Sequence, residues 1–435
     1  MNLLIIGSGG REHALAWAAS RSALRPRIYA LPGNPGIAEL GTLLPGDAAD
    51  HDLVTAAVAE HAIDLVLVGP EAPLVAGLAD HLSERGVRVF GPRRAAAALE
   101  GSKVFCKELM QRAGVPTAAF RVAEDSKTAL AWAAEMPLPH VVKADGLAGG
   151  KGALIVHDRD EARAAVEALM VEERFGAAGR RVVFEEFLDG EEMSVFALVS
   201  GEEYALLPAS QDYKRAADGD RGLNTGGMGA YAPVVGWTPT LEAQVRRRVI
   251  EPTLAALTSA GTPYMGLLYC GLMVQAEKPA VVEFNCRFGD PETQAVVPLL
   301  AGDLLEAIWA ATDPAGSRGA LTGIEPDGRA AVCVVIASQG YPGPVRKGLP
   351  IAERAVVSSD EALIFQAGTR REGQRLVTAG GRVLSVVGLG RDLPQARAHA
   401  YEAIPKEPFD GASWRHDIAW RGMAALEGAS GSSRN

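Results

Sequence analysis

Four short apolar runs in the first hundred residues, NLLIIG, RIYAL, DLVLVG and VRVFG, alternate with helical stretches such as REHALAWAA and PLVAGLADHLSERG. Such alternation predicts a parallel sheet with helices on both faces, the doubly wound form of an α/β fold. Open parallel sheets take ligands at the carboxyl ends of their strands. Three loops fall there: GSGGREHA (Gly7–Ala14), GPEAP (Gly69–Pro73) and GPRR (Gly91–Arg94). A small phosphorylated substrate fits such loops, and plain strand-to-helix turn chemistry is the alternative. A dinucleotide is disfavoured, because Glu12 stands where the G-x-G-x-x-G fingerprint needs its last glycine. The second strand also ends in Ala30–Leu31–Pro32, with no acidic residue to hold a ribose.

At 435 residues the chain is long enough for two to four domains, and 48% hydrophobic content suits globular cores. A helix from Ser102 (KVFCKELMQRAG) leads into a strand-rich segment, HVVKAD, GALIVH, RVVFEEF, EMSVFALVSG and EYALLPA. A glycine- and charge-rich loop, QDYKRAADGDRGLNTGGMGAY, precedes a helix near 241–260 and two strands, GLLYCGLMVQ and AVVEFNCRF. The stretch DPAGSRGALTGIEPDGR reads as a linker to a last domain, and the small polar tail GASGSSRN reads as disordered. Net charge of -10 and only 6% aromatics argue against a nucleic-acid or anionic-membrane partner. No apolar run approaches the roughly 20 residues of a membrane span, and MNLLIIG reads as a buried strand. Cys106, Cys270, Cys286 and Cys333 show no C-x-x-C spacing, so reduced thiols in a cytoplasmic protein are expected.

Four constellations carry candidate chemistry. In VVKADGLAGGKGALIV, glycines at a hairpin tip free backbone N–H groups to approach an anion, and Lys143 and Lys151 add charge. Walker A fails there, because Lys151 is followed by Gly152 and another strand. A flap closing over phosphates and an ordinary hairpin with solvated lysines both fit. In EEFLDGEEMS, the connector after Glu185 offers backbone groups to a flat base and carboxylates to ribose hydroxyls, with a surface acidic turn as the rival. In VVEFNCRFGDPE, strand alternation puts Glu283, Asn285 and Arg287 on one side, and Phe284 and Cys286 toward a core. A carboxylate and an amide oxygen on one face suit Mg²⁺ or Mn²⁺, and the planar fork of Arg287 suits phosphate oxygens. A half-exposed strand with a Glu–Arg pair is the bland alternative. In DYKRAADGDRGLNTGGMGAY, Asp212, Lys214 and Arg215 suit an anionic or zwitterionic substrate, and the calcium-loop spacing is absent.

In their order along the chain, GSGGREHA, GPEAPL, LEGSK, KADGLAGGKG, EEFLDGEE, SQDYKR, NTGGMGAY and EFNCRFGDPETQ resemble the phosphoribosylamine–glycine ligase family of the ATP-grasp superfamily. The resemblance runs to about residue 422. It implies an N-terminal substrate-binding α/β (pre-ATP-grasp) domain over 1–101 and an ATP-grasp domain over 102–295 with a flap subdomain near 120–190. A small C-terminal α+β domain over 328–422 and a disordered tail over 423–435 complete the expected order. It also implies a ligase of purine biosynthesis that uses ATP and Mg²⁺ or Mn²⁺ to join glycine to 5-phosphoribosylamine, acting as a monomer in the cytoplasm. By the match, adenine goes to Glu185, Glu186, Phe187 and Leu188, and ribose to Glu192. Lys103 and Lys143 contact phosphates beneath a flap of Gly146, Gly149, Gly150, Lys151 and Gly152. Glu283 and Asn285 hold the metal. Arg287, Lys143, Asp212 and Lys214 act in catalysis, and Gly9, Glu12 and Glu71 join Asp212, Lys214 and Arg287 as substrate contacts. Gly271 stands where many ATP-grasp enzymes carry a further acidic ligand, a feature this family shares. Leu223 replaces a usual proline and Gly149 a usual alanine, changes that bear on loop stiffness. Another ATP-grasp ligase or carboxylase of nucleotide synthesis, or a non-catalytic nucleotide sensor, is the alternative reading.

Overall fold

The computed structural model describes residues 1–149, 151–313, 319 and 321–432. Its first hundred residues form a five-stranded parallel sheet in the order Thr42–Leu43, Arg27–Pro32, Asn2–Gly7, Leu65–Val68, Arg88–Phe90. Alternate side chains of the central strands enter separate cores: Leu4, Ile6, Val66 and Val68 one, and Leu3, Ile5, Leu65 and Leu67 the other. Burial on both faces is why these strands read as unbroken apolar runs. The two-residue strand Thr42–Leu43 is too short to leave such a run, and the sequence does not announce it.

The winding reverses between Asn2–Gly7 and Leu65–Val68, and a crevice opens beyond their carboxyl ends. Glu12, in the first turn of helix Gly10–Ser20, fills it. Its Oε2 accepts from Gly9 N at 2.6 Å and its Oε1 from Arg11 Nε at 2.5 Å. The chain's own carboxylate thus sits where a helix N-terminus favours an anion. A pyrophosphate has no room at this position.

The middle of the chain builds two antiparallel sheets. One orders Phe120–Ala123, Val182–Glu186, His140–Ala144 and Ala153–Val156, with Val142 and Phe184 in a core shared with Ala129 and Ala165 of its two helices. The other orders Glu203–Leu206, Glu191–Ser200, Met265–Gln275 and Lys278–Asn285. The expected helix near 241–260 is present as Pro239–Val245 and Glu251–Ser259 joined by one wide turn.

A third antiparallel sheet orders Gln211–Asp212, Gly229–Ala232, Ala330–Ser338, Arg382–Gly390 and Ala362–Gln366. Helix Leu393–Glu402 packs so closely on it that a Cβ on Gly388 would lie 2.2 Å from Ala396 O. The expected loop over 211–231 is therefore largely ordered. Its ends pair toward Ala330–Ser338, and Arg215–Ala217 and Arg221–Asn224 form a hairpin between them. Long-range pairing, invisible to local pattern, overrides the turn-like composition. The sheet of the last domain consequently draws strands from both sides of the expected linker, of which 314–318 and 320 lie outside the described residues. The tail also differs from expectation: helix Trp420–Ser432 continues through the stretch read as disordered, and 433–435 lie outside the described residues. Its Met-Ala-Ala-Leu-Glu run favours helix and carries the backbone past the glycines.

A Cβ on Gly69 would lie 1.9 Å from Glu12 Oε1, although the Gly69 backbone has no positive φ. Gly69→Ala is expected to cost about 1–3 kcal/mol through overpacking. Denaturant titration checks this, with a parent-like midpoint as the contrary result.

Candidate active site

The strand Lys278–Asn285 pairs with Met265–Gln275 except at a bulge, where Glu283 lies opposite Gly271 and Val281 opposite Leu272. Val282 is left out of the ladder, and its carbonyl accepts from Lys143 Nζ at 3.0 Å. Lys143 also donates to Glu185 Oε2 at 3.0 Å, and buried Lys107 meets the same oxygen at 2.9 Å. Burial pushes the Lys107 ammonium down from its ordinary value, against the pull of Glu185. The other Glu185 oxygen, Oε1, is buried without a hydrogen-bond partner.

Beyond the bulge the side chains divide as alternation predicts. Phe284 and Cys286 are in the core, 0% and 1% exposed. Glu283 faces Lys103 Nζ at 3.1 Å. Burial opposes its charge, but Lys103, Lys214 and Lys143 hold this carboxyl well below the usual range. Burial likewise opposes the charge of Lys103, and Glu283 outweighs it, holding the ammonium above an ordinary lysine. Asn285 Oδ1 accepts from Arg287 Nη2 at 3.3 Å. Arg287 is held further by Glu71 at 3.2 Å and Glu100 at 3.1 Å. Glu100 also accepts from the Cys286 backbone at 2.7 Å, which fixes the direction in which the chain leaves the strand.

A second group sits on Gln211–Asp212 and the residues after it. Lys214 Nζ pairs with Glu192 Oε1. Burial pushes Asp212 up to about 7, helped by Glu292 and Glu192 and opposed by Lys214. Glu292 is buried and also raised, and it accepts from Tyr269 Oη at 3.1 Å. From the last domain, Arg382 donates to Asp290 Oδ2 at 3.1 Å and to the Asp290 carbonyl at 2.6 Å. Sequence reasoning passed over Lys107, Glu100, Asp290, Glu292 and Arg382. Glu100, Asp290 and Glu292 lie inside the quoted motifs LEGSK and EFNCRFGDPETQ, which was the available signal.

The flap is the hairpin between His140–Ala144 and Ala153–Val156. Asp145 anchors its base, accepting from Ser102 Oγ at 2.8 Å and Val104 N at 3.1 Å at the start of the helix that begins with Lys103. Gly146 and Gly149 have φ of +154° and +57°, which a side chain there would strain. Exposed Lys151 reaches the Pro342 carbonyl at 3.4 Å, and Gly152 is buried; Gly150 lies outside the described residues. In the connector, Glu186 and Phe187 are exposed, Phe187 by 36%, beside half-buried Leu188. Gly9 borders the site, since a Cβ there would lie 3.1 Å from Asp290 Oδ2. Glu12 is turned into the sheet crevice and 1% exposed. His13, beside that loop, accepts from Gln366 N at 2.8 Å, and burial takes it down to about 4, so it is a neutral wedge between domains.

The arrangement brings Lys103, Lys143, Glu185, Glu283, Asn285, Arg287, Glu71, Asp212, Lys214 and Glu192 into one charged network. Family models for phosphoribosylglycinamide synthetase match the whole of it: the N domain over residues 1–100, the ATP-grasp (A) domain over 101–293 and the C domain over 331–421. The chain belongs to the phosphoribosylglycinamide synthetase family. It is 48% identical over 428 residues to a phosphoribosylamine–glycine ligase of Allochromatium vinosum, covering 98% of this chain and 99% of the other. A relative of the same name from Agrobacterium fabrum is 45% identical over 426 residues, with 98% and 99% covered. The crystal structure of phosphoribosylamine–glycine ligase from Thermotoga maritima superposes with a TM-score of 0.84 at 36% identity, covering 96% of this chain and all of that one. The biotin carboxylase domain of a Hydrogenobacter thermophilus 2-oxoglutarate carboxylase shares the fold, with a TM-score of 0.73 at 16% identity, covering 95% and 91%. Membership of an ATP-grasp family implies ATP with a divalent metal.

The raised carboxyl of Asp212 has a consequence for stability. Its folded form binds a proton more tightly than the unfolded form, so its contribution is full below the unfolded pKa and is lost as pH rises through about 7. Asp212→Asn removes that loss. The melting temperature of the variant relative to the parent, both without ligands, is expected to climb between pH 5 and pH 8. A constant difference would show that Asp212 does not titrate in this range.

Proposed function

We propose that this enzyme joins glycine to 5-phosphoribosylamine through glycyl phosphate, giving glycinamide ribonucleotide, ADP and phosphate in purine biosynthesis. A glycine carboxylate oxygen takes the γ-phosphoryl group as the bond to ADP breaks. The amine of phosphoribosylamine then bonds to the glycyl carbonyl carbon, losing a proton, and phosphate leaves. Phosphoryl transfer asks a protein for charge neutralisation and positioning more than for a nucleophile. The observation that carries the reading is the convergence of Lys103, Lys143, Lys214 and Arg287 on the face of the strand bearing Glu283 and Asn285.

In this reading Lys103 and Lys143 bind the phosphates, and Arg287 orients the group in transfer. The hard oxygen donors of Glu283 and Asn285 fit Mg²⁺ or Mn²⁺, which they would hold and which would supply charge neutralisation when bound. Gly271 opposite Glu283 carries no side chain to crowd that carboxylate. Exposed Phe187 and the adjoining backbone receive adenine, with the unpartnered Glu185 Oε1 as a buried acceptor nearby, and Glu192 receives the ribose. Asp212 and Lys214 offer one charge of each sign to zwitterionic glycine. Gly9 and Glu71 border the phosphoribosylamine, while Glu12 shapes the Gly9 loop from behind. The flap of Gly146–Gly152 closes over the nucleotide and keeps water from the acyl phosphate. The substrates are small molecules, handled by a cytoplasmic monomer whose net charge of -10 gives no general attraction for nucleic acid.

ADP release is expected to require both glycine and phosphoribosylamine. Turnover with an aminoimidazole ribonucleotide and bicarbonate, and none with glycine, would overturn the assignment. Glu283→Gln and Asn285→Leu should each keep the fold and lose ~3 kcal/mol of transition-state stabilisation, about a hundredfold in rate. Parent-like turnover of both at low Mg²⁺ would return the strand to a structural role. Limited proteolysis should cut the flap without nucleotide and spare it with MgATP, whereas equal resistance in both states would mark a rigid hairpin.

A further inference from the structure

Tyr213 lies between Asp212 and Lys214, and the three side chains divide between two environments. In extended chain, neighbours point to opposite sides. Tyr213 is 0% exposed and belongs to the core of the last domain, while Asp212 and Lys214 belong to the charged site. Two guanidinium groups from the end of that domain, Arg415 and Arg421, each lie 4.9 Å from the centroid of the Tyr213 ring. The Arg421 backbone N–H also donates to Tyr213 Oη at 3.4 Å.

The same two arginines hold the hairpin that follows. Arg415 is 1% exposed, and donates to Asp220 Oδ1 at 2.9 Å, to the Arg215 carbonyl at 3.2 Å and to both oxygens of Asp417 at 2.7 Å. Arg421 pairs with the other oxygen of Asp220. Asp417 in turn accepts from Gly219 N at 2.8 Å. A planar, always charged fork satisfies two carboxylates, a carbonyl and a ring face at once, which a lysine cannot do. This contact ties residues 415–421 to the segment that presents Asp212 and Lys214, from the side away from the substrates.

We infer that Arg415 and Arg421 are positioning residues for the reaction, which seat Tyr213 and thereby fix where Asp212 and Lys214 stand. The inference rests on the proposed function and extends it to a part of the chain that touches no substrate. Arg421 is half-buried, so Arg421→Gln leaves a carboxylate that water can reach and keeps the fold. It is to be compared with Tyr213→Leu, with the two combined, and with Arg415→Lys, which keeps the charge and loses the fork. Melting temperature, kcat, and KM for ATP and for glycine are measured on each.

A displaced catalytic group costs roughly ten- to a hundredfold, so kcat over KM for glycine should fall by that much in the single variants. KM for ATP should rise clearly less than KM for glycine, because Lys103, Lys143 and Glu283 are held by other contacts and only the ribose-facing Glu192 pairs with Lys214. The double variant should lose no more than about twofold beyond Tyr213→Leu, since both changes break one connection. Parent-like kinetics in folded variants, a parallel rise in KM for ATP, or losses that multiply in the double variant would overturn the positioning role. If Tyr213→Leu does not fold, the glycine-against-ATP split in Arg421→Gln and Arg415→Lys decides alone. A parent that releases no ADP on glycine and phosphoribosylamine overturns instead the function on which the inference rests.

Discussion

The bulge at Val282 is the local irregularity on which the site depends. An uninterrupted ladder would engage the Val282 carbonyl and shift every later side chain to the opposite face. Glu283 would then turn toward the core that now takes Phe284, and Lys143 would lose the acceptor that brings it from the first antiparallel sheet to the second. The bulge therefore does two jobs. It sets the register of Glu283 and Asn285, and it supplies the carbonyl by which the hairpin sheet is tied to the strand.

The charges around that strand bear on how the proposed polyanionic substrate would be received. Each cation of the site already has a carboxylate: Lys103 has Glu283, Lys214 has Glu192, and Arg287 has Glu71 and Glu100. Deleting one member of such a partly buried pair strands the other charge at a cost. A ligand that brings phosphates and a divalent cation strands neither side. In the proposed reaction, lysines would turn from carboxylate to phosphate, and carboxylates from lysine to metal. Glu100 differs from Glu71: it is buried and also holds the Cys286 backbone, whereas Glu71 is only half-buried.

Much of this was legible in the sequence. Unbroken apolar runs announced the parallel sheet, because burial on both faces is a composition signal. Alternation in VVEFNCRF placed Glu283, Asn285 and Arg287 together, because the period of a strand is local. What the sequence hid was long-range. The 211–231 segment carries the signature of a loop, yet Gly229–Ala232 is an inner strand whose partner begins about a hundred residues later at Ala330. Lys107 looked like one more helix charge until the fold brought Glu185 against it. Arg415 is fully buried because Asp220 and the Arg215 carbonyl arrive from some two hundred residues away to join the local Asp417.

Glu12 shows how a shared architecture is turned to a different ligand. A doubly wound sheet presents a helix N-terminus at its switch point, and dinucleotide-binding proteins place a pyrophosphate there. Here Glu12 occupies that position, capped by Gly9 N, and Gly7 and Gly69 leave the room for it: a Cβ on either would overlap its side chain. The internal carboxylate sits at the positive end of the helix dipole. With the crevice filled by Glu12, the room left for a ligand lies outward, at the rim. There Gly9 meets Asp290 from the middle of the chain, and Arg382 from its last domain grips the same carboxylate. One carboxylate in the wrong place for a dinucleotide thus leaves residues from three parts of the chain, Gly9, Asp290 and Arg382, to meet at the rim.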